Sequence, residues 1–208
     1  MLRMCRLLIV VLLALPGPAL AATCRLVPVS GAAAQLPEAA AIDAARLDLA
    51  ILMQVNYARC RAGVAALGPA PSLRQVAMAQ GRWMAIRQRL THNGGPPGLT
   101  SLRARLAASR IEYRTGGENI ATVSAYRIDN RRIRLGPGAC DFRDMNGHAI
   151  PRQSYASLAA EVVANWMASP GHRRNILNPA FRWSGTGFGF DRRGSFCGTF
   201  YLSQMFAG

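Results

Sequence analysis

The chain has 208 residues, with 25 basic side chains, every one of them arginine, against 10 acidic ones, for a formal net charge of +15. That length suits one domain with a sizeable core, and no later apolar run approaches the ~20 residues a membrane-crossing helix needs, so no transmembrane segment is expected. A charge of this size can draw nucleic acid, anionic lipid or acidic polysaccharide. The arginines are dispersed, with one cluster at Arg127, Arg131, Arg132 and Arg134. The pattern reads as a solvated surface without a specific nucleic-acid partner, and an anionic envelope polymer is the partner that charge alone suggests.

Residues 1–22 read as a secretory signal peptide. Arg3 and Arg6 form a basic start, Leu7 to Leu15 is apolar without a break, and Ala19-Leu20-Ala21 supplies a small-x-small cleavage site. Cutting there leaves residues 23–208 as a single domain, secreted or periplasmic, with 23 arginines against 10 acids and a charge of +13. Cys24, Cys60, Cys140 and Cys197 remain. An even number in an oxidising compartment predicts two disulfides, with three connectivities open. The expected pairing is Cys24–Cys60 and Cys140–Cys197, tying the new N-terminus to a helix end and a long loop to a strand. A four-thiolate zinc site is the rival, but no C-x-x-C pair supports it.

Residues 23–37 form an irregular lead-in. The spacing of Ile42, Ala45, Leu49, Leu52 and Asn56 predicts a helix over 38–61, ended by Gly63. Pro69 to Ser72 is a turn, with Ser72 the expected N-cap of a second helix over 73–90. Asn93 to Gly98 is loop, and a short helix is expected over 101–108 with Leu102 and Leu106 inward. Residues 113–121 are polar and Gly-rich. Residues 122–154 form an irregular insertion, long enough for a compact domain to mark it as a candidate functional segment. It carries His148 with Asp141 and Asp144, read as exposed loop residues. Leu158, Val162 and Trp166 predict a helix over 155–167. The tail reads as a hairpin: Gly185 to Phe190, a turn at Asp191–Gly194, and an alternating strand from Ser195 to Phe206. Trp83 and Trp166 fall on core faces, and Trp183 is the partly exposed aromatic. Helices followed by a C-terminal hairpin argue for the α+β class.

The residues that carry chemistry lie at the edges of these elements. The apolar helix stops at Ser169-Pro170-Gly171, which places His172 on a turn with its imidazole free. Leu90-Thr91-His92-Asn93 and Gly117-Glu118-Asn119-Ile120 are two more polar islands. Imidazole and carboxylate are ready ligands, so His92, Glu118 and His172 are a candidate set for zinc or another divalent metal. Such an ion would lower the pKa of a bound water to ~7 and make it a nucleophile. Ser169 precedes His172 by three residues, but a helix-end role explains it more simply than a nucleophile–base pair. Asn119 and Asn175 are expected to brace backbone around the cleft.

These motifs resemble a known family. Asn56-Tyr57-Ala58-Arg59, Leu90-Thr91-His92, Gly117-Glu118-Asn119-Ile120-Ala121, Trp166 through Leu177, and Tyr201 through Phe206 are similar, in that order, to elements of the CAP superfamily. This is the SCP domain of cysteine-rich secretory, antigen 5 and pathogenesis-related proteins. The resemblance implies an α-β-α sandwich with a small antiparallel sheet between helical layers, and a cleft lined by two His and two acids. His92, Glu118 and His172 carry over. Animal and plant members place the second acid where this chain has Ser169, and the 122–154 segment is longer than in simple bacterial members. The expected function is an exported, monomeric binding or interaction module, with lipid, another small molecule or a divalent metal as ligand. The alternatives are a metal-dependent, peptidase-like hydrolase using His92, Glu118 and His172, and a basic protein adhering to acidic polymers.

Overall fold

Strand β6 (Thr199–Ala207) organises the fold because it is buried on both faces. Phe200, Leu202 and Phe206 point into one core, while Met205 and Ala207 enter another, as the two-residue period of a strand dictates. It pairs antiparallel with β5 (Trp183–Asp191) on one side and with β2 (Gly116–Ser124) on the other. A two-residue β1 (Gly68–Pro69) adds to β5 in parallel, so the sheet order is β1-β5-β6-β2. The sheet is therefore mixed rather than purely antiparallel, because the chain leaving the first helix runs alongside β5 in the same direction. The computed structural model describes residues 23–208 apart from Glu38 and Asn130; the leader predicted over 1–22 lies outside the described residues.

Two helical layers enclose the sheet, giving the α+β, α-β-α architecture. One layer holds α1 (Ala44–Arg61), α4 (Tyr155–Ala168) and α5 (Pro170–Ile176), and the other holds α2 (Pro71–Arg87) and α3 (Leu102–Ser109). Helix α2 lies directly on β5. A Cβ on Gly187 would collide with the Met78 backbone, and one on Gly189 would collide with Gly81 and Arg82. Glycine in a strand interior here marks close approach of another backbone. Helix α2 ends at Arg87 with Gln88 in the left-handed region, and the His92 loop follows.

Several boundaries differ from the sequence expectation. Helix α1 starts at Ala44 because the Asp43 carboxylate accepts the Ala45 and Arg46 N–H groups, a side-chain cap worth about 1 kcal/mol. Helix α2 is capped at Ala70 rather than Ser72, with Pro71 at the first helical position its fixed φ suits. Residues 116–124 are extended although their polarity gave no strand pattern. The strand β6 begins at Thr199 rather than Ser195, because Phe196 and Cys197 adopt left-handed φ values of 56° and 64° and break the extended run.

The 122–154 segment is not wholly irregular. Its first three residues complete β2, and the rest forms a lobe around buried Ile128, Phe142 and Ile150. Strands β3 (Arg134–Leu135) and β4 (Phe142–Arg143) pair within it. His148 and Asp144 form an exposed pair at 3.2 Å, while Asp141 turns to Arg143. The disulfides are Cys24–Cys60 and Cys140–Cys197, with Cα separations of 5.7 and 5.8 Å. The second ties the lobe to the β5–β6 loop. All four cysteines are consumed, which removes the thiolate zinc alternative.

A buried carboxyl joins α1 to the sheet. Asp48 Oδ1 accepts the Thr186 N–H at 2.7 Å, and Oδ2 lies 3.5 Å from Arg74. Burial pushes this carboxyl from 3.8 up to about 6, against the lowering effect of Thr186 and Arg74. The native state then holds a proton that the unfolded chain has released, so this group's contribution is fully present below pH 3.8 and is lost as pH rises through about 6. The loss is on the order of 3 kcal/mol. Asp48→Asn keeps the acceptor for Thr186 and should flatten that part of the profile in thermal melts across this range. An unchanged slope in the variant would contradict the assignment.

Candidate functional site

The strand β2 is an edge of the sheet, and its successive side chains point to opposite faces. Glu118 therefore joins the α2–α3 side, and Asn119 the α4–α5 side. The Glu118 side chain is only 1% exposed. Its Oε2 accepts from Arg105 Nη2 at 2.8 Å and pairs with His92 Nδ1 at 2.9 Å, and its Oε1 accepts the Ser203 hydroxyl at 3.0 Å.

Arg105 is the residue that builds this wall. Its side chain is fully buried, and it donates to the carbonyls of His92, Gly94 and Leu99 as well as to Glu118. One guanidinium thus holds the 91–100 loop, α3 and β2 together. Gln80 adds a bond from Nε2 to the Thr91 carbonyl at 3.1 Å. The sequence reading missed Arg105, although a signal was present: it lies three residues after inward-facing Leu102 and next to Leu106, on the same helical stripe.

The other wall is α5. His172 lies on this helix and not on a turn, as was expected. Proline is tolerated at a first helical position, so Pro170 starts a new helix, and Ser169 both ends α4 and caps α5. A second buried arginine fixes α5 in place. Arg59 donates to the carbonyls of Ala65, Ile176, Asn178 and Phe181 at 2.6 to 3.4 Å. Asn119 donates to the His172 carbonyl at 3.3 Å, and Asn175 donates to the Glu118 carbonyl at 3.2 Å and to Asn119 Oδ1 at 2.9 Å. Both asparagines therefore tie α5 to β2. Trp166 packs beneath, its indole N–H donating to the Ile120 carbonyl at 3.2 Å.

The fold brings His92 and Glu118 into direct contact and His172 close to His92. Partial burial holds the His172 imidazole below its ordinary range, and the neighbouring His92 adds to that lowering. Ser169 makes no side-chain cap bond and serves the helix junction. A groove of about 630 Å³ lies along the α4–α5 elbow between Met167, Pro170, Arg173 and Leu177, with neither imidazole in its lining.

The residues present do not fit the divalent-metal reading. Glu118 is committed to Arg105, His92 and Ser203, and among the described residues no three His, Cys, Asp or Glu side chains converge to hold an ion. A ligand entering from solvent meets two imidazoles rather than a carboxylate.

Two outcomes follow from this geometry. Arg105→Met leaves Glu118 buried without its cation, and should cost about 3–5 kcal/mol in urea unfolding. Adding Glu118→Gln should return part of that loss, whereas two simply additive losses would show that the pair is not coupled. In an NMR pH titration the His172 ring should titrate below 6.5, and His92→Ala should move it partway back up. A His172 midpoint indifferent to residue 92 would separate the two rings.

The sequence model of the cysteine-rich secretory protein family (CAP) matches residues 52–206. No curated protein sequence matches the chain. Among solved structures, an outer surface protein of Borrelia burgdorferi is similar at 13% identity and a TM-score of 0.53, over 80% of this chain and 96% of that one. An extracellular SCP-domain protein of Bacillus anthracis is 22% identical, with a TM-score of 0.49, over 77% of this chain and 40% of that chain. A cysteine-rich secretory protein of Staphylococcus aureus is 16% identical, with a TM-score of 0.44, over 79% and 39%. This chain thus spans about two fifths of the length of the latter two.

Proposed function

Since the chain belongs to the cysteine-rich secretory protein family, we propose that it is an exported module that binds a ligand without chemical turnover, through the His92–His172 cleft. The observation that carries this reading is the Arg105–Glu118 pair. A buried carboxylate already held by a guanidinium, an imidazole and a hydroxyl is a brace. It positions His92 and, with its side chain only 1% exposed, turns neither oxygen to solvent.

The exposed chemistry is that of imidazole. When neutral, His92 donates its Nδ1 proton to Glu118 and keeps Nε2 as an acceptor. His172, pressed toward the neutral form, offers one donor and one acceptor beside it. Together they suit a small polar group on a ligand. Export is supported by the two disulfides, which persist in oxidising compartments. It is also compatible with the finding that, among the described residues, no helix is long and apolar enough to cross a membrane.

The hydrolase reading requires Glu118 to leave Arg105. Zinc chloride titrated into the protein, followed by calorimetry and by His ring resonances, separates the two readings. The binding-module reading expects the same weak, unsaturated response from the wild type and from the His92→Ala/His172→Ala variant. It also expects no cleavage of peptide or ester substrates with or without zinc. One tight site lost in the double variant, together with chelator-sensitive cleavage, would establish the hydrolase instead.

A further inference from the structure

Beyond the imidazole cleft, the C-terminal end of β2 borders a second hollow of about 540 Å³. Its lining is unlike that of an apolar groove. It joins hydroxyls from Thr122, Ser124 and Thr199, the Asp129 carboxylate, the Asn165 amide and the ring of Phe196. We propose that this hollow is a carbohydrate subsite that seats one neutral pyranose unit of a glycan on Phe196 and hydrogen-bonds its hydroxyls through Asp129 and Asn165.

Phe196 carries the first part of the argument. Its side chain is 46% exposed although it is aromatic and borders the lobe core. It sits at φ 56°, followed by Cys197 at 64°, and the disulfide partner Cys140 is at 59°. Three non-glycine residues in the left-handed region at one cross-link are strained backbone. The cross-link and the lobe hold the backbone there, and the result is a ring kept at the lip of a polar hollow. It meets Phe142 at 76° with centroids 5.8 Å apart, a T-shaped contact.

The polar side supplies the second part. The Asp129 carboxylate is fixed by the Ser124 N–H at 3.1 Å and the Ser124 hydroxyl at 2.6 Å. Its direction is therefore set before any ligand arrives. The register places Thr199 opposite Ser124, on the same face of the ladder. The Asn165 side chain makes no hydrogen bond among the described residues. Glu161 lies one helical turn before Asn165, and its Oε1 is buried with no donor. That oxygen is satisfied when it carries a proton and donates it to Asp129. Burial and the Asp129 carboxylate both raise the Glu161 carboxyl, to about 7, while Gln153 and Arg131 oppose the shift.

This combination selects a chemical class. An apolar ligand would desolvate the Asn165 amide without giving it a partner. Within the hollow the Asp129 carboxylate disfavours an anion, while Arg127 and Arg131 lie on the other side of Asp129 and line a separate hollow. A pyranose has an apolar C–H face for the ring and a rim of hydroxyls for directional acceptors and donors, the mixture that small-molecule pockets read.

The test is a proton–nitrogen NMR titration of the protein with cellobiose and with N,N′-diacetylchitobiose at millimolar concentrations. Either disaccharide should give saturable shifts confined to residues 122–129, 165 and 195–199. Phe196→Ala should abolish them while Phe196→Tyr retains them, and Asn165→Ala should weaken binding roughly tenfold. A melting temperature equal to wild type shows that the alanine variants are folded. Absence of saturation with both sugars would overturn the proposal. So would equal shifts in folded Phe196→Ala, or a response only to polygalacturonate that vanishes as salt is raised.

Discussion

The ion pair between Arg105 and Glu118 is the interaction on which the cleft depends. Both side chains are out of solvent, so each charge is tolerable only because the other is there. Desolvating two ions is costly, and the return comes from the additional bonds around the pair. The guanidinium also closes on three loop carbonyls, and the carboxylate also takes a hydroxyl and an imidazole. The pair converts a Gly- and Pro-rich loop, which has no secondary structure to hold it, into a fixed wall carrying His92.

The opposite wall is built on the same principle with different partners. Arg59 is buried and, among the described residues, pairs with no carboxylate; the carbonyls of Ile176, Asn178 and Phe181 around the end of α5, and that of Ala65, receive it instead. Oriented carbonyl dipoles at a helix C-terminus favour a cation, and this one anchors a helix of only seven residues that would have little stability alone. Each imidazole thus stands on an element too short or too irregular to hold itself. In each case a buried arginine, drawn from a longer helix, supplies the missing rigidity.

Much of the fold was legible from local pattern. The helices followed from apolar residues at steps of three and four, and Trp166, buried as expected, lies on the core face of α4. The expected disulfide pairing, one of three open connectivities, is the one the structure contains. The expectation failed where side-chain type and environment part company. Residues 116–124 read as polar, yet Glu118 and Asn119 are buried, because their partners come from α3, β6 and α5, far away in sequence. The turn assigned to His172 failed because proline both stops one helix and starts the next.

The sequence by itself determined the α+β class and the four longer helices, since these rest on short-range spacing, and it required that four cysteines pair; the family motifs in order named His92 and His172 as candidates, and the structure supplied the disulfide partners and helix α5. Only the tertiary structure decided what Glu118 does. A carboxylate beside two imidazoles reads as a metal ligand until a guanidinium from another helix is found against it. Contacts of that kind join residues separated by many positions, and nothing in local periodicity encodes which buried charge meets which.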